Sequence, residues 1–555
     1  MNGLIPFQEK IYRHMKTKAS SFEGRFSKQH IEYIRYQYKE SKRKFKLSNE
    51  EKLFISIAKS QVVYLGDFHT FDQSTKNLER ILRVLTEGKA QITLGMEMVH
   101  ARYQIEIDRY MNHLISEQEF LSGIDYHESW RFPWGHYKTI FDFARKSKIR
   151  VVGLNSDGEL TKRDEFAAKR IVEILSQNPN STVIALFGEL HITQKKLPAQ
   201  VTQNSPFPIN QTIIHQNLDE VYWRLLKQNK LKEQGSTLIE FGGHEFCLIS
   251  SPPWIKYESM VYWFDNLSDD PDFDLRDSQN QSGLKTFTSN IHDNFLFLCQ
   301  NLAKVILPDT KFDQSLDDFN LYDYTNLDYV LDLTKSIQSS SERNFVKWKI
   351  STGAVLKIPQ MNSYYLSHYS INRLAMAAGM HLFHHQIQQM DNSKGKAKGN
   401  KINQLKNVLV VEAFSHLCSK IVNPNRKTDL YLDVLDKYKN SKGKNKKEQN
   451  KNEEDKRNYS NVIKLSKNAT LLKKNTGLQK FLRDKNPKQI FNIGKLLGRM
   501  MGEFLFEYQI KKHNVPANDL GNILIRSMFI EKEWAKLVAH SIGHTKFIKL
   551  RKHTF

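Results

Sequence analysis

Four apolar runs of β-branched and aliphatic residues organise the first part of the chain: VVYLG from Val62, AQITLGMEM ending at Met98, IRVVGLN ending at Asn155, and TVIALF from Thr182. They are too continuous for half-exposed strands and predict strands covered on both faces. Between them the apolar positions fall at helical spacing. Leu78, Ile81, Leu82 and Leu85 make an i, i+3, i+4, i+7 face that Gly88 ends, and Tyr137, Ile140, Phe141 and Ala144 make a second. Phe166, Ala167, Ile171, Ile174 and Leu175 make a third. Ser48-Asn49-Glu50-Glu51 ahead of KLFISIAKS and Ser116-Glu117-Gln118-Glu119 both read as Ser-x-x-Glu capping boxes. Strand and helix alternating at this spacing predict an α/β fold, a mainly parallel sheet with helices on both faces, because parallel neighbours need a crossover.

The pattern changes on either side of this block. Residues 1–47 are rich in Lys, Arg, Tyr and Phe and predict a basic helical extension, so the α/β domain is expected over 48–265. FGGHEF reads as a hairpin turned at Gly242-Gly243, which makes His244 a turn residue rather than a ligand. The acidic, turn-rich stretch 266–283 reads as a linker. From 284 to 555 the periodicity is mainly helical, with YYLSHYSINRLAMAAGMHLFHHQI, VLVVEAFSHLCSKIV, QIFNIGKLLGRMMGEFLFEYQI and ILIRSMFIEKEWAKLVAHSI as its strongest segments. FVKWKISTGAVLKIP, two alternating runs around Thr352-Gly353, predicts a hairpin within it. Lysine-rich inserts at 391–403 and 439–458 read as solvated tethers without fixed structure.

The strands stop at chemistry. VVYLGDFH delivers Asp67 and His69 directly after Gly66, and TVIALFGELH repeats the Gly-acid-x-His ending with Glu189 and His191. Glu97 and Asn155 end the other two runs. Ligands of open parallel sheets sit at the carboxyl ends of the strands, so His69, Glu97 and His191 are expected to converge. Two imidazoles and a carboxylate suit a divalent transition metal with positions left open, or, without a metal, a general base oriented by Glu97. The plainer alternative is that Asp67 or Glu189 caps the following helix. Trp130, Phe132, Trp134 and Tyr137 are candidates to line an apolar cleft beside the site, with core packing as their other role. In the helical part, His381, His384 and His385, and the pair Glu412 and His416, have metal-ligand spacing on helices but read by default as packing residues.

The net charge of +23 is concentrated at one end: residues 391–555 hold 36 Lys and Arg against 15 Asp and Glu, while residues 1–390 hold 47 against 45. A basic C-terminal half predicts weak electrostatic contact with nucleic acid or an acidic membrane surface, without base-specific reading, because aromatic stacking partners are scarce in the lysine-rich tracts. Three well-separated cysteines, Cys247, Cys299 and Cys418, predict reduced thiols and exclude a Cys-x-x-Cys zinc site. No apolar run is long enough for a transmembrane segment. With neither a signal peptide nor an early lipid-accepting cysteine visible, the expected location is cytoplasmic.

From Ser60 to Val201 the order LGDFH, LGMEM, the SEQEFL helix, W-x-x-x-W-x-x-Y, VVGLN and FGELH resembles the ChaN family of haem-binding, iron-regulated proteins, which shares a superfamily with the Tiki proteases, TraB proteins and erythromycin esterases. The likeness continues through NLDEVYWRLL and SSPPWIKYESMVYWF to about residue 265. The resemblance implies an α/β fold in which two Gly-x-x-His motifs and a strand glutamate form the site, here His69, His191 and Glu97. It also implies haem, or a divalent metal, as the cofactor. The expected function is therefore a haem- or iron-associated binding protein, with haem or a small-molecule ligand as partner and a homodimer as a possible assembly. A metal-dependent hydrolase of the Tiki and erythromycin-esterase type, in which His69, Glu97 and His191 are catalytic, and a non-catalytic interaction scaffold are the alternatives.

Overall fold

An eight-stranded sheet carries the N-terminal part of the chain. The structure, a computed structural model, describes residues 2–22, 26–88, 90–232, 235–266, 290–309, 320–323, 326–358, 363–391, 400–426, 428, 431–440, 446–473 and 475–542. The strands are β1 (Lys46–Leu47), β2 (Val62–Asp67), β3 (Ile92–His100), β4 (Arg150–Asn155), β5 (Thr182–Gly188), β6 (Gln211–Gln216), β7 (Thr237–Gly242) and β8 (Glu245–Ile249). Their order across the sheet is β1-β7-β8-β6-β2-β5-β3-β4. The six from β8 to β4 are mutually parallel, and β7 and β1 close the other edge antiparallel. This is the mainly parallel α/β sheet expected, with helices on both faces.

Two apolar layers sandwich it. Leu65, Leu94, Met96, Ile184 and Leu186 pack with the helices Gln73–Glu87 and Trp134–Lys146, through Leu78, Ile81, Leu82, Tyr137, Ile140 and Phe141. Val62, Tyr64, Val183, Ala185 and Phe187 face the other way, against Ala167, Ala168, Ile171 and Leu175 of the helix Leu160–Gln177. The helices thus change face between the β3–β4 and β4–β5 connections, and β5 returns to lie between β2 and β3. The carboxyl ends of strands beside such a reversal are where open parallel sheets place their ligands.

Local signals hold with small shifts. Ser116 and Glu119 form the reciprocal capping box, Ser116 N donating to Glu119 Oε2 at 2.7 Å. At the earlier helix the cap is Asn49, whose side chain accepts from Lys52 N at 2.9 Å, so the helix Glu50–Ala58 starts one residue later than a Ser48 cap would place it. Gly242, Gly243 and His244 all have positive φ in the turn between antiparallel β7 and β8, which is the predicted hairpin.

Contacts divide the chain into two compact units, one over Tyr12–Lys285 and the other over Thr286–Arg551 with Met1–Ile11. The second is largely helical, with a small three-stranded sheet of Asn320–Tyr322, Leu356–Ile358 and Ser363–Tyr365. The hairpin expected over FVKWKISTGAVLKIP is corrected: residues Ser340–Ser351 form a helix. Ser339 caps it at Glu342 N, and Val346 and Ile350 bury one i, i+4 face, so helical burial overrides the short alternation in the sequence. Gly353, at φ +67°, turns the chain out of that helix into Leu356–Ile358. The insert 439–458 is also not wholly irregular, because a helix spans Lys446–Lys467, with Arg457 on Glu453 one turn apart. Residues 392–399 of the other insert, and the linker 266–283 beyond Asn266, lie outside the described residues. Cys247, Cys299 and Cys418 are free and buried. Among the described residues no helix is long and apolar enough to cross a membrane.

Candidate functional site

Three neighbouring strands deliver the strand-end residues. Asp67 closes β2, Glu97 sits on β3 where its register with β4 slips between Met96 and His100, and Gly188 closes β5. A Cβ built on Gly188 would stand 3.2 Å from Glu97 Oε2, 3.3 Å from His191 Cδ2 and 3.4 Å from His69 Cε1. The three side chains predicted to converge therefore meet over one glycine, and any side chain there would fill the space between them.

Each imidazole is held from behind in the same way. His69 Nδ1 lies 2.9 Å from Asp67 Oδ2, which also accepts from the Tyr137 hydroxyl at 2.8 Å. His191 Nδ1 lies 2.5 Å from Asp164 Oδ1, whose Oδ2 accepts from the Tyr33 hydroxyl at 2.7 Å. An ionised carboxylate only accepts, so in each neutral ring Nδ1 carries the proton and Nε2 keeps its lone pair. Carboxylate–histidine pairs of this kind fix the tautomer and raise the basicity of a histidine that binds a metal. Asp67 is thus no helix cap: the helix that follows begins at Gln73 without a side-chain cap from Asp72. Glu189 is no cap either, since it faces Lys256, 3.8 Å away.

Glu97 is the anion of the group. The Arg163 guanidinium binds its Oε1, Gly188 N–H donates to Oε2 at 2.5 Å, and His191 Nε2 lies 3.8 Å from Oε1. Arg163 is itself steered by Asn155 at the end of β4, through Nε at 2.9 Å from Oδ1. Burial would raise the Glu97 carboxyl, yet the charges of Arg163, His191 and His69 and the Gly188 N–H together hold it below the usual range. For His69 burial pulls down, but the Asp67 hydrogen bond and the charges of Asp67 and Glu97 outweigh it, so its pKa is raised above 6.5.

That shift has a sign. A histidine whose folded pKa exceeds its unfolded value binds its proton more tightly when folded, so the His69–Asp67 contribution is complete below about pH 6.5 and fades as pH rises through the folded value. Metal-free protein is therefore expected to lose stability over that window at a rate of up to about 1.4 kcal/mol per pH unit. Denaturant midpoints measured against pH, wild type beside His69→Gln, check this; the same slope in both would show that His69 is not the titrating group.

Aromatic rings flank both imidazoles: the His191 ring meets Phe187 at 5.2 Å and Tyr33 at 5.6 Å. The His69 ring meets Trp130 edge-on at 4.6 Å and Phe132 at 4.8 Å, and Phe132 in turn meets Trp263 at 4.8 Å. Tyr137 is buried behind Asp67, and Trp134 packs among Phe120, Tyr126 and Phe141. Sequence reasoning missed Tyr33, Arg163 and Asp164. It also missed a second group: Glu40, His215 and Glu245 are buried, with one ligand atom from each inside 4.8 Å of the others. His69, Glu97 and His191 stand wider than that. Arg43 occupies Glu245 Oε1 together with His215 Nε2, and Gln194 takes Oε2 at 2.6 Å, so this second set is already an internally paired cluster. In the helical unit His416 Nε2 donates to Glu503 Oε2 at 3.0 Å, while Glu412 binds Arg499, so these two do not act together as a metal pair.

A solved structure titled "Cofacial heme binding to ChaN of Campylobacter jejuni" is similar at 14% identity over 32% of this chain and 89% of that one, with a TM-score of 0.25. None of the curated proteins matches. Residues 53–163, which carry Asp67, His69, Glu97, Asn155 and Arg163, match the family described as haem-binding uptake, Tiki superfamily, ChaN.

Proposed function

We propose that the α/β unit binds haem, or a closely related metal-carrying ligand, at the carboxyl ends of β2, β3 and β5. The observation that carries this reading is His69: an imidazole locked by Asp67, with Nε2 left as a lone pair, beside Trp130 and Phe132. A histidine of that basicity suits an axial ligand, and a flat apolar macrocycle suits an aromatic flank. His191 and Glu97 complete the set as a second nitrogen donor and a fixed negative charge. The family match over residues 53–163 agrees with haem.

Metal-dependent hydrolysis is the second reading, and the paired Tyr–Asp–His chains favour it: two histidines held in one tautomer also suit an ion that lowers the pKa of a bound water. Titration of the purified protein with haem, following the Soret band and bound metal together, separates the two. Saturable uptake is expected in the wild type and its loss in a His69→Ala, Glu97→Ala, His191→Ala triple variant. No haem uptake, with a divalent ion that the variant loses, would replace the haem reading with the hydrolase one. Neither ligand would leave an interaction scaffold.

A further inference from the structure

A cavity of about 380 Å³ lies between the helix Glu50–Ala58 and the turn that joins β7 to β8. That volume falls in the lower part of the range in which proteins hold small molecules. Lys52, Ile55, Ser56 and Lys59 line it from one side, and their i, i+3, i+4, i+7 spacing presents a single helix face. Gly243 and His244 line it from the turn. Gln211 opens β6 and Glu245 opens β8 beside it, so the cavity stands at the amino ends of these parallel strands. His69, Glu97 and His191 gather at the opposite edge of the sheet.

His244 is placed there by the backbone and oriented by a buried chain of hydroxyls. At φ +64° it follows Gly243 at φ +60°, the pair of left-handed residues that a two-residue hairpin turn needs. Its Nδ1 lies 2.8 Å from Ser56 Oγ, which lies 2.7 Å from Thr212 Oγ1, itself 2.8 Å from Ser60 Oγ. Proton counting fixes the direction of the whole chain. Ser60 gives its only hydroxyl proton to the Ser56 carbonyl at 3.0 Å, so Thr212 must donate to Ser60, and Ser56 to Thr212. Ser56 Oγ is then left only as an acceptor, and His244 Nδ1 carries the proton. Nε2 is the ring atom that remains for a ligand, an acceptor when the ring is neutral and a donor when it is protonated. Ser56, Ser60 and Thr212 are all buried, so water does not compete for the chain.

Charge sets the sign of the ligand. Three lysines and one carboxylate line the cavity. Lys46 faces that carboxylate, Glu240, at 3.5 Å across the β1–β7 pair, whereas Lys52 and Lys59 form no ion pair among the described residues. Lys52 also stands in the first turn of its helix, where the backbone dipole disfavours a cation, so helix stability does not account for it. Ile55, 48% exposed, and the buried Phe246 give the lining an apolar part. We propose that this cavity binds a small organic anion, a carboxylate or a phosphate monoester on an apolar body, with Lys52, Lys59 and His244 on the anionic group and Ile55 on the body. All these residues belong to the α/β unit and none to the strand-end group, so the site stands whether or not haem binds there.

The test uses the full chain with benzoate and phenyl phosphate as probes, and acetate and inorganic phosphate as their counterparts without an apolar body. Thermal unfolding is followed against each, with ionic strength matched by sodium chloride. A saturable rise in Tm beyond the chloride control is expected for a phenyl compound and a smaller one for its counterpart. The stronger of benzoate and phenyl phosphate identifies the anionic group. Two variants locate the site, Lys52→Gln with Lys59→Gln, and His244→Asn. Asparagine tolerates the left-handed backbone, so the turn is kept while the imidazole is lost. Each variant is expected to weaken binding by about tenfold, the order of one charge-assisted hydrogen bond. Every probe matching chloride, equal responses to the phenyl compounds and their counterparts, or an undiminished response in either variant would overturn the proposal.

Discussion

Asp164→Ala is expected to cost roughly 2–5 kcal/mol of stability and to weaken uptake at the strand-end site roughly 10- to 100-fold. Asp164 is only 1% exposed and accepts from two buried donors, His191 Nδ1 and the Tyr33 hydroxyl. Alanine leaves both donors without a partner where water does not reach, and the full desolvation penalty of each is then felt. It also frees the His191 ring to turn and to exchange tautomers. Asp164→Asn divides these effects. The amide keeps the volume and one acceptor, so more of the stability survives. Its N–H₂ turned towards Nδ1 would favour the tautomer with the proton on Nε2, and uptake would still fall. Urea unfolding beside a haem or metal titration of the two variants reads both quantities. Wild-type uptake in both variants would show that His191 needs no orientation from Asp164, and the paired Tyr–Asp–His arrangement would lose its functional meaning.

How much of this was legible follows from where each residue sits. His69, Glu97 and His191 end apolar strands, and a parallel sheet turns strand ends into one edge, so a one-dimensional pattern was enough to bring them together. Asp164 and Arg163 lie in TKRDEF, in the first turns of a helix whose charged residues look like a solvated face. Asp164 is covered by Tyr33, from the helix Lys28–Ser41 far away in sequence, and by His191 beyond the end of β5. No local signal carries that contact. The same limit hid Glu40, His215 and Glu245, since His215 stands inside QTIIHQ with apolar neighbours and its carboxylates come from a distant helix and the next parallel strand. FVKWKI failed for another reason: six residues with apolar positions at both spacings do not decide between periods, and burial of Val346 and Ile350 on one side made the choice. In the helical unit a signal was present and unread, the four-residue spacing of glycines in GKLLGRMMG.

Gly498→Ala is expected to destabilise the helical unit by roughly 3 kcal/mol, reversing the usual gain of about 0.5–1 kcal/mol for this change inside a helix. Gly494, Gly498 and Gly502 line the face of Pro487–Phe504 that lies against Lys401–Val422. Matching positions rise together along the two helices, Gly494 to Val408, Gly498 to Glu412 and Gly502 to His416, so the pair runs parallel at backbone distance. A Cβ at Gly498 would collide with the Leu409 carbonyl oxygen and come within 2.7 Å of Glu412 Cβ. At Gly502 it would meet the Ala413 carbonyl at 2.6 Å, whereas at Gly494 the nearest atom is Val408 Cγ1 at 2.8 Å. A side chain can yield, but a carbonyl inside a helix cannot do so without moving the helix. The expected order of loss is therefore Gly498 and Gly502 ahead of Gly494, where Val408 Cβ at 2.9 Å must still shift. Denaturant unfolding of the three alanine variants decides the matter: equal or higher stability for Gly498→Ala would mean that the helices are not in backbone contact, and the close approach that fixes Arg499 beside Glu412 would have to be given up.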